Sequence, residues 1–136
     1  MPPQIAPFHA AQVLVDREGA VRLWSDDCER LFGYRADEAI GRPVDFIIPP
    51  AYRAKHWRRF HWAMARIETD RPHGVGNIPV VHADGSAHAH PYRQIILFDA
   101  FGRPTGAIVI FSDALQPGES NGLRNVFMDA LDPAGD

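Results

Sequence analysis

The tightest constraint on this chain is that its one long helical stretch lies between strand-like runs. Segment 51–68 carries the longest helical patterning, entered through Pro49-Pro50 and left through TDRPHGVG at 69–76. Proline's fixed φ and missing donor suit a helix entry, and a cluster of Gly and Pro suits a loop. Two strand-like runs precede the helix, QVLVD at 12–16 and AVRLW at 20–24, closed into a hairpin by Arg17-Glu18-Gly19. Three follow it at 77–82, 86–98 and 105–112, joined through Asp84-Gly85 and Phe101-Gly102-Arg103. Between the hairpin and the long helix, Ser25, Asp26 and Asp27 supply N-cap chemistry for a short helix carrying Cys28, Leu31 and Phe32, which Gly33 stops. A further helical turn at 36–40 ends at Gly41 before Pro43, and 46–48 is a short apolar run. The order β-β-α-α-α-β-β-β predicts an α+β fold, an antiparallel sheet with its helices inserted between strands 2 and 3.

A length of 136 residues suits one domain. The expected division is an N-terminal arm at 1–10 with a short helix beginning near Phe8, a domain at 11–114, and a linker with a short amphipathic helix at 115–136. That last helix would present Leu123, Val126, Phe127, Ala130 and Leu131, and with the proline-rich arm it predicts a homodimer. Pro79 is compatible with an edge strand, whereas Pro91 interrupts a run that otherwise reads as continuous strand.

Lys+Arg of 14 against Asp+Glu of 17 gives a net charge of −3, so there is no general attraction to nucleic acid or to an anionic membrane. The single cysteine cannot form an intrachain disulfide, the amino terminus lacks a basic, apolar leader, and no stretch is long and apolar enough to span a bilayer. A cytoplasmic location is the expectation. No Ser-His-Asp spacing, phosphate loop or paired carboxylates stand out, and the chain is expected not to be an enzyme.

His56, Phe60, Ala63, Met64 and Ile67 fall on one helical stripe, while Lys55, Arg58, Arg59 and Arg66 take other faces and His61 lies off the stripe. The stripe should face a core and carry His56 into it. Spacing alone leaves two roles open: a core histidine bonded to a carbonyl, or a metal ligand.

The opening hairpin, ERLFGY at 29–34, Gly41-Arg42, Ile48-Pro49, Asp84-Gly85, Gly102-Arg103-Pro104 and a closing strand ending in Ser112-Asp113 together resemble a PAS domain over 11–114. The resemblance implies a five-stranded antiparallel sheet of order 2-1-5-4-3, helices over one face, a cavity between, and a sensory role. Within that family the chain is most similar to haem-binding oxygen sensors of the FixL and direct-oxygen-sensor type, whose proline, arginine and proximal histidine match Pro49, Arg53 and His56. The interval from that histidine to the following Asp-Gly turn is also kept. The resemblance implies haem b held by His56 as axial iron ligand, with Phe60, Asn77, Tyr92 and Gln94 as the other cofactor-contacting residues. Gly76 stands where FixL has its oxygen-stabilising arginine, and Gly74 where the direct oxygen sensor has its methionine ligand. The cysteine of flavin photosensors is missing, because Gly41-Arg42 is followed by Pro43-Val44. Cys28 reads as a small core hydrophobe.

Alternate residues His88, His90, Tyr92 and Gln94 share one strand face, which the resemblance turns toward the pocket. If Asp84-Gly85 is a two-residue turn, Val81, Pro79, Asn77 and Val75 lie opposite these four and His82 points the other way. A lining of His90, Tyr92, Gln94 and Asn77 would hydrogen-bond a ligand or hold water. Alternatively, the face is partly solvated or lies in a dimer contact. His88 and His90 have zinc-compatible spacing without an evident third ligand. The reading that follows is a haem PAS sensor for a diatomic gas (oxygen, CO or NO) or redox state, signalling to a downstream protein by contact. Its rivals are a haem-free PAS module that binds a small organic molecule or dimerises, and a small haem protein with redox or peroxidatic activity.

Overall fold

The computed structural model describes residues 10–65 and 73–126. β1 (Ala11–Asp16) and β2 (Val21–Trp24) form the opening hairpin. The helices α1 (Asp26–Phe32), α2 (Ala36–Ala39) and α3 (Arg53–Met64) follow, with two 3-10 turns before α3, and then β3 (His73–Val81), β4 (Ala87–Phe98) and β5 (Pro104–Phe111). All pairings are antiparallel, in the order β2-β1-β5-β4-β3. The α+β fold with its helices between strands 2 and 3 is as expected.

The layering follows from the period-2 patterning. Ala11, Val13 and Val15 of β1 are buried, and their cross-strand partners Phe111, Val109 and Ala107 on β5 and Tyr92, Gln94 and Ile96 on β4 share that face. This inner face meets Phe32 from α1, Ala39 from α2, Phe46 and Ile47 from the first 3-10 turn, and Phe60 and Met64 from α3. Each large apolar side chain so buried stabilises the fold by about 1.5 to 3 kcal/mol relative to exposure.

Three boundaries differ from expectation. The α-helical part of α3 starts at Arg53, because the residues after Pro49 form a 3-10 turn, Pro50–Tyr52; the expected residues 66–68 lie outside the described ones. Residues 73–76, expected as loop, already pair with β4. The expected C-terminal helix is not helical where it is described: Asn125 bridges Asn77 alongside β3, and residues 127–131 lie outside the described ones, as does the arm at 1–9.

The register of β3 against β4 is a fourth correction. Val80, Ile78, Gly76 and Gly74 lie opposite His88, His90, Tyr92 and Gln94, one residue from the expected pairing. The cause is the loop: the His82 N–H donates to Ser86 O at 2.7 Å, and Gly85, at φ +90, closes a three-residue connection rather than a two-residue one. A slip of one residue reverses which face each side chain takes. His82 therefore joins His88 and His90, and Asn77 moves to the face opposite Tyr92.

Pro79 lies on edge strand β3, as expected. Pro91 sits in a central strand opposite Ser112, just past the end of β5, and the group its missing N–H would leave unpaired is Ser112 O. The ladder bond from Ser112 N to Pro91 O survives at 3.0 Å. Its reciprocal bond, which would need a Pro91 N–H, is replaced: the His90 ring donates from Nδ1 to Ser112 O at 2.8 Å.

Candidate functional site

α3 is held in place by contacts that start in the proline-rich entry. The Arg53 guanidinium donates from Nε to Ile48 O at 2.9 Å, tying the first turn to the residue before Pro49. One turn on, the Trp57 indole donates from Nε1 to Asp45 Oδ2 at 3.1 Å. The Trp57 ring lies over Gly19 of the β1–β2 turn, where φ is +83 and a Cβ would collide with the ring. These anchors fix the rotation of α3 and therefore the direction of His56.

The His56 ring packs edge-on to Trp57 with centroids 4.6 Å apart and lies nearly parallel to Phe60 at 6.1 Å. Its Nδ1 is buried without a hydrogen-bond partner. Burial pushes its pKa down to about 4, Asp45 opposes the shift, and Arg59 and His61 add to it, so the imidazole is neutral at pH 7. The core-histidine role with a bonded carbonyl is thus not met at Nδ1. A buried, neutral imidazole nitrogen without a hydrogen-bond partner is a donor that haem iron accepts, and the chemistry of the His56 side chain fits that group. His61 is exposed, as its place off the stripe requires.

Phe60 is buried beside His56, while Tyr92 and Gln94 lie half-buried on the sheet's inner face. Burial raises the Tyr92 phenol above its ordinary range, against the opposing charges of Arg59 and Arg124. Opposite Tyr92, a Cβ at Gly76 would stand 2.8 Å from Val126 Cγ2, 2.9 Å from Arg124 O and 3.2 Å from Tyr92 Cε1. The room left by Gly76 is thus taken by the C-terminal segment. Gly74 is more open, with Tyr92 Oη at 3.6 Å.

Asn77 does not join this group. Its amide faces away from Tyr92 and exchanges hydrogen bonds with Asn121, each 2.9 Å long, and donates to Leu123 O at 3.2 Å. A solvent-facing cleft of about 410 Å³ lies at the far end of α3, lined by Arg17, Glu18, His61, Met64 and Ala65. His56 is not among its lining residues.

The polar face of β4 divides in two. His90 is fully buried against Phe32 and Phe111, and its bond to Ser112 O fixes the proton on Nδ1. Its Nε2 must then accept, so His82 donates from Nε2 to it at 2.8 Å. Burial, reinforced by His82 and His88 and opposed by the Ser112 contact and Asp113, pushes His90 down to about 4. His88 is exposed, bonded to Ser86 Oγ at 2.9 Å. Among the described residues no three His, Cys, Asp or Glu side chains converge on a metal site. His90 is thus a bonded core histidine.

Cys28 is buried, donates from Sγ to Gln12 O at 3.3 Å, and has its thiol pKa raised by burial, which fits a core role. Sequence reasoning missed His82 as the partner of His90 and Val126 as the side chain over Gly76. A three-residue reading of His82-Ala83-Asp84-Gly85-Ser86 would have found the first. Among the described residues no helix is long and apolar enough to cross a membrane.

A family model described as the PAS fold matches residues 5–114. The sensor protein FixL of Bradyrhizobium diazoefficiens is 39% identical over 46 residues, a stretch covering 34% of this chain and only 9% of FixL. The PAS domain of a protein from Colwellia psychrerythraea superposes with a TM-score of 0.67 at 24% identity, covering 78% of this chain and 86% of that one. VqmA bound to DPO superposes at 0.57 with 22% identity, covering 79% of this chain and 53% of VqmA.

Proposed function

The chain belongs to the PAS family of sensor domains, and on that premise we propose that it binds haem b through His56 and senses a diatomic gas or redox state. The observation that carries this is the buried, neutral and unpartnered Nδ1 of His56. Pro49 and Arg53 support it by orienting the helix, the second through its bond to Ile48 O. Bound haem would supply an open coordination position for a small diatomic ligand. The protein's own contribution is to hold one neutral imidazole at a fixed angle against Phe60 and Trp57. Tyr92 and Gln94, on the inner face of β4, would donate a hydrogen bond toward a ligand in that layer. Output passes by contact to a second copy and to a downstream protein, and the role is sensing rather than catalysis.

A second reading is favoured by Val126 and Tyr92 standing over Gly76, which narrows the inner layer. It is a haem-free PAS module that takes a small organic molecule, as VqmA does DPO. Reconstitution with haemin separates the two. The first reading expects stoichiometric uptake by wild type and His61→Ala, with the histidine-ligated spectrum lost in His56→Ala. If wild type takes up no stoichiometric haemin, or His56→Ala gives an unchanged spectrum, His56 is not the ligand and the haem-free reading replaces it.

A further inference from the structure

After β5 the chain turns back over the sheet, and residues 121–126 run along the edge of β3. Asn77 offers its outward backbone groups there: its N–H donates to Arg124 O at 2.8 Å, and its C=O accepts from Val126 N at 3.0 Å. The reciprocal amide pair of Asn77 and Asn121 reinforces the bridge. Asn77 and Val126 are each 4% exposed, although residues 116–125 are all exposed. The backbone bridge at Asn77, the amide pair with its bond to Leu123 O, and the Val126 side chain hold down a segment whose residues 121–125 are otherwise exposed. Such a segment opens at lower free energy than the sheet it lies on.

The position of the held side chain gives this opening a consequence. Val126 fills the room that Gly76 leaves beside Tyr92, and its carbonyl accepts a long bond of 3.5 Å from Arg59 Nη1. Arg59 belongs to α3, one turn beyond His56. Val126 thus plugs the layer between β3 and the helix that carries His56, entering from the sheet's edge.

We propose that residues 121–126 are a displaceable strap, whose plug Val126 competes with a ligand for the layer between α3 and the inner face of β3 and β4. The proposal rests on the haem reading of His56. A ligand that needs the plug out binds in proportion to the fraction of strap that is open, and by linkage its binding opens the strap. Occupancy beside His56 is thereby converted into release of the C-terminal segment and of the two outward backbone groups of Asn77.

The test uses the full chain with haemin as probe, in wild type, Asn121→Ala and Val126→Gly. Neither substitution replaces His56, Phe60, Tyr92 or Gln94. Both variants should bind haemin about tenfold more tightly, the gain expected if the strap is closed about nine-tenths of the time. Amide hydrogen exchange gives a second readout. Haemin loading of wild type should lower protection at the Asn77 and Val126 amides while the β1–β5 ladder keeps its own. Uptake by the two variants but not by wild type would also support the strap. Stoichiometric uptake with affinity unchanged in both variants would overturn it, as would Asn77 and Val126 amides that exchange only with global unfolding. Failure of all three proteins to take up haemin would overturn the haem reading, and the coupling with it.

Discussion

Pro91 and His90 depend on one another, and that dependence is measurable. In wild type, Ser112 O has no ladder donor because Pro91 lacks an N–H, and His90 Nδ1 serves in its place at 2.8 Å. His90→Leu, a replacement of similar volume, removes that bond and also the acceptor for His82 Nε2. Each bond contributes about 1 kcal/mol net, so the single variant should lose about 2 kcal/mol. Pro91→Ala restores a backbone N–H aimed at Ser112 O. In the Pro91→Ala background, His90→Leu should therefore cost about 1 kcal/mol less, which is the coupling energy of the cycle. Effects of proline on the unfolded chain cancel, because they appear on both sides of the cycle. Urea unfolding of the four proteins at pH 7.5, followed by tryptophan fluorescence at constant m-value, measures it. Protection from exchange of the amide that Pro91→Ala introduces is the independent check. Additivity within about 0.3 kcal/mol, or an introduced amide that exchanges freely, would refute the claim that the imidazole replaces a missing ladder bond.

Three more outcomes are expected. His56 and His90 are both pushed down to about 4 in the folded state, so as pH falls from about 6.5 toward 4 the unfolded chain takes up protons first. The stability they confer is full above about pH 6.5 and lost through that window; discounted for partial exposure it is about 4 kcal/mol together, and urea midpoints that stay flat from pH 7.5 to 4.5 would contradict it. Gly19→Ala should destabilise by about 2 kcal/mol or more, because its φ is +83 and the new Cβ meets the Trp57 ring; adding Trp57→Leu should recover part of the loss, and no recovery in thermal melts would show that the ring is not the obstacle. Leu23, Leu14, Ile108 and Ile95 form one row across four strands on the sheet's outer face, so light scattering should give a homodimer that Ile108→Glu makes monomeric, whereas a monomeric wild type would remove the prediction.

The legible parts of the fold are those written locally. The hairpin around Gly19, the stop at Gly33 and the entry at Pro49-Pro50 each follow from a few adjacent residues whose backbone chemistry admits few alternatives. The stripe from His56 through Phe60 to Met64 is legible for the same reason, since helical spacing alone puts those side chains together. The register of β3 is not, because Asp84-Gly85 supports both a two-residue and a three-residue connection, and the difference decides the face of Asn77 and His82. Pro91 reads as an interruption because the His90 imidazole reaching Ser112 O, a tertiary fact, is what makes its missing donor harmless. Val126 carries no local sign that it will cross to Gly76, for an apolar residue at helical spacing from Leu123 and Ala130 reads as helix until the edge of β3 is known.

The way the β3 edge is closed bears on how this domain behaves at high concentration. Pro79 has no hydrogen to offer on the outward side, the Tyr34 hydroxyl donates to Val81 O at 2.9 Å, and Asn77 is engaged by Arg124 and Val126. On the opposite margin, Val21 is bridged by Gly41 and Arg42. Once the segment 121–126 lifts, the backbone groups of Asn77 become available to another molecule, yet Pro79 two residues on prevents a long ladder from growing. The exposed stretch can therefore support a brief, reversible strand contact in trans without seeding a fibril, which keeps a repeatedly opening edge compatible with solubility.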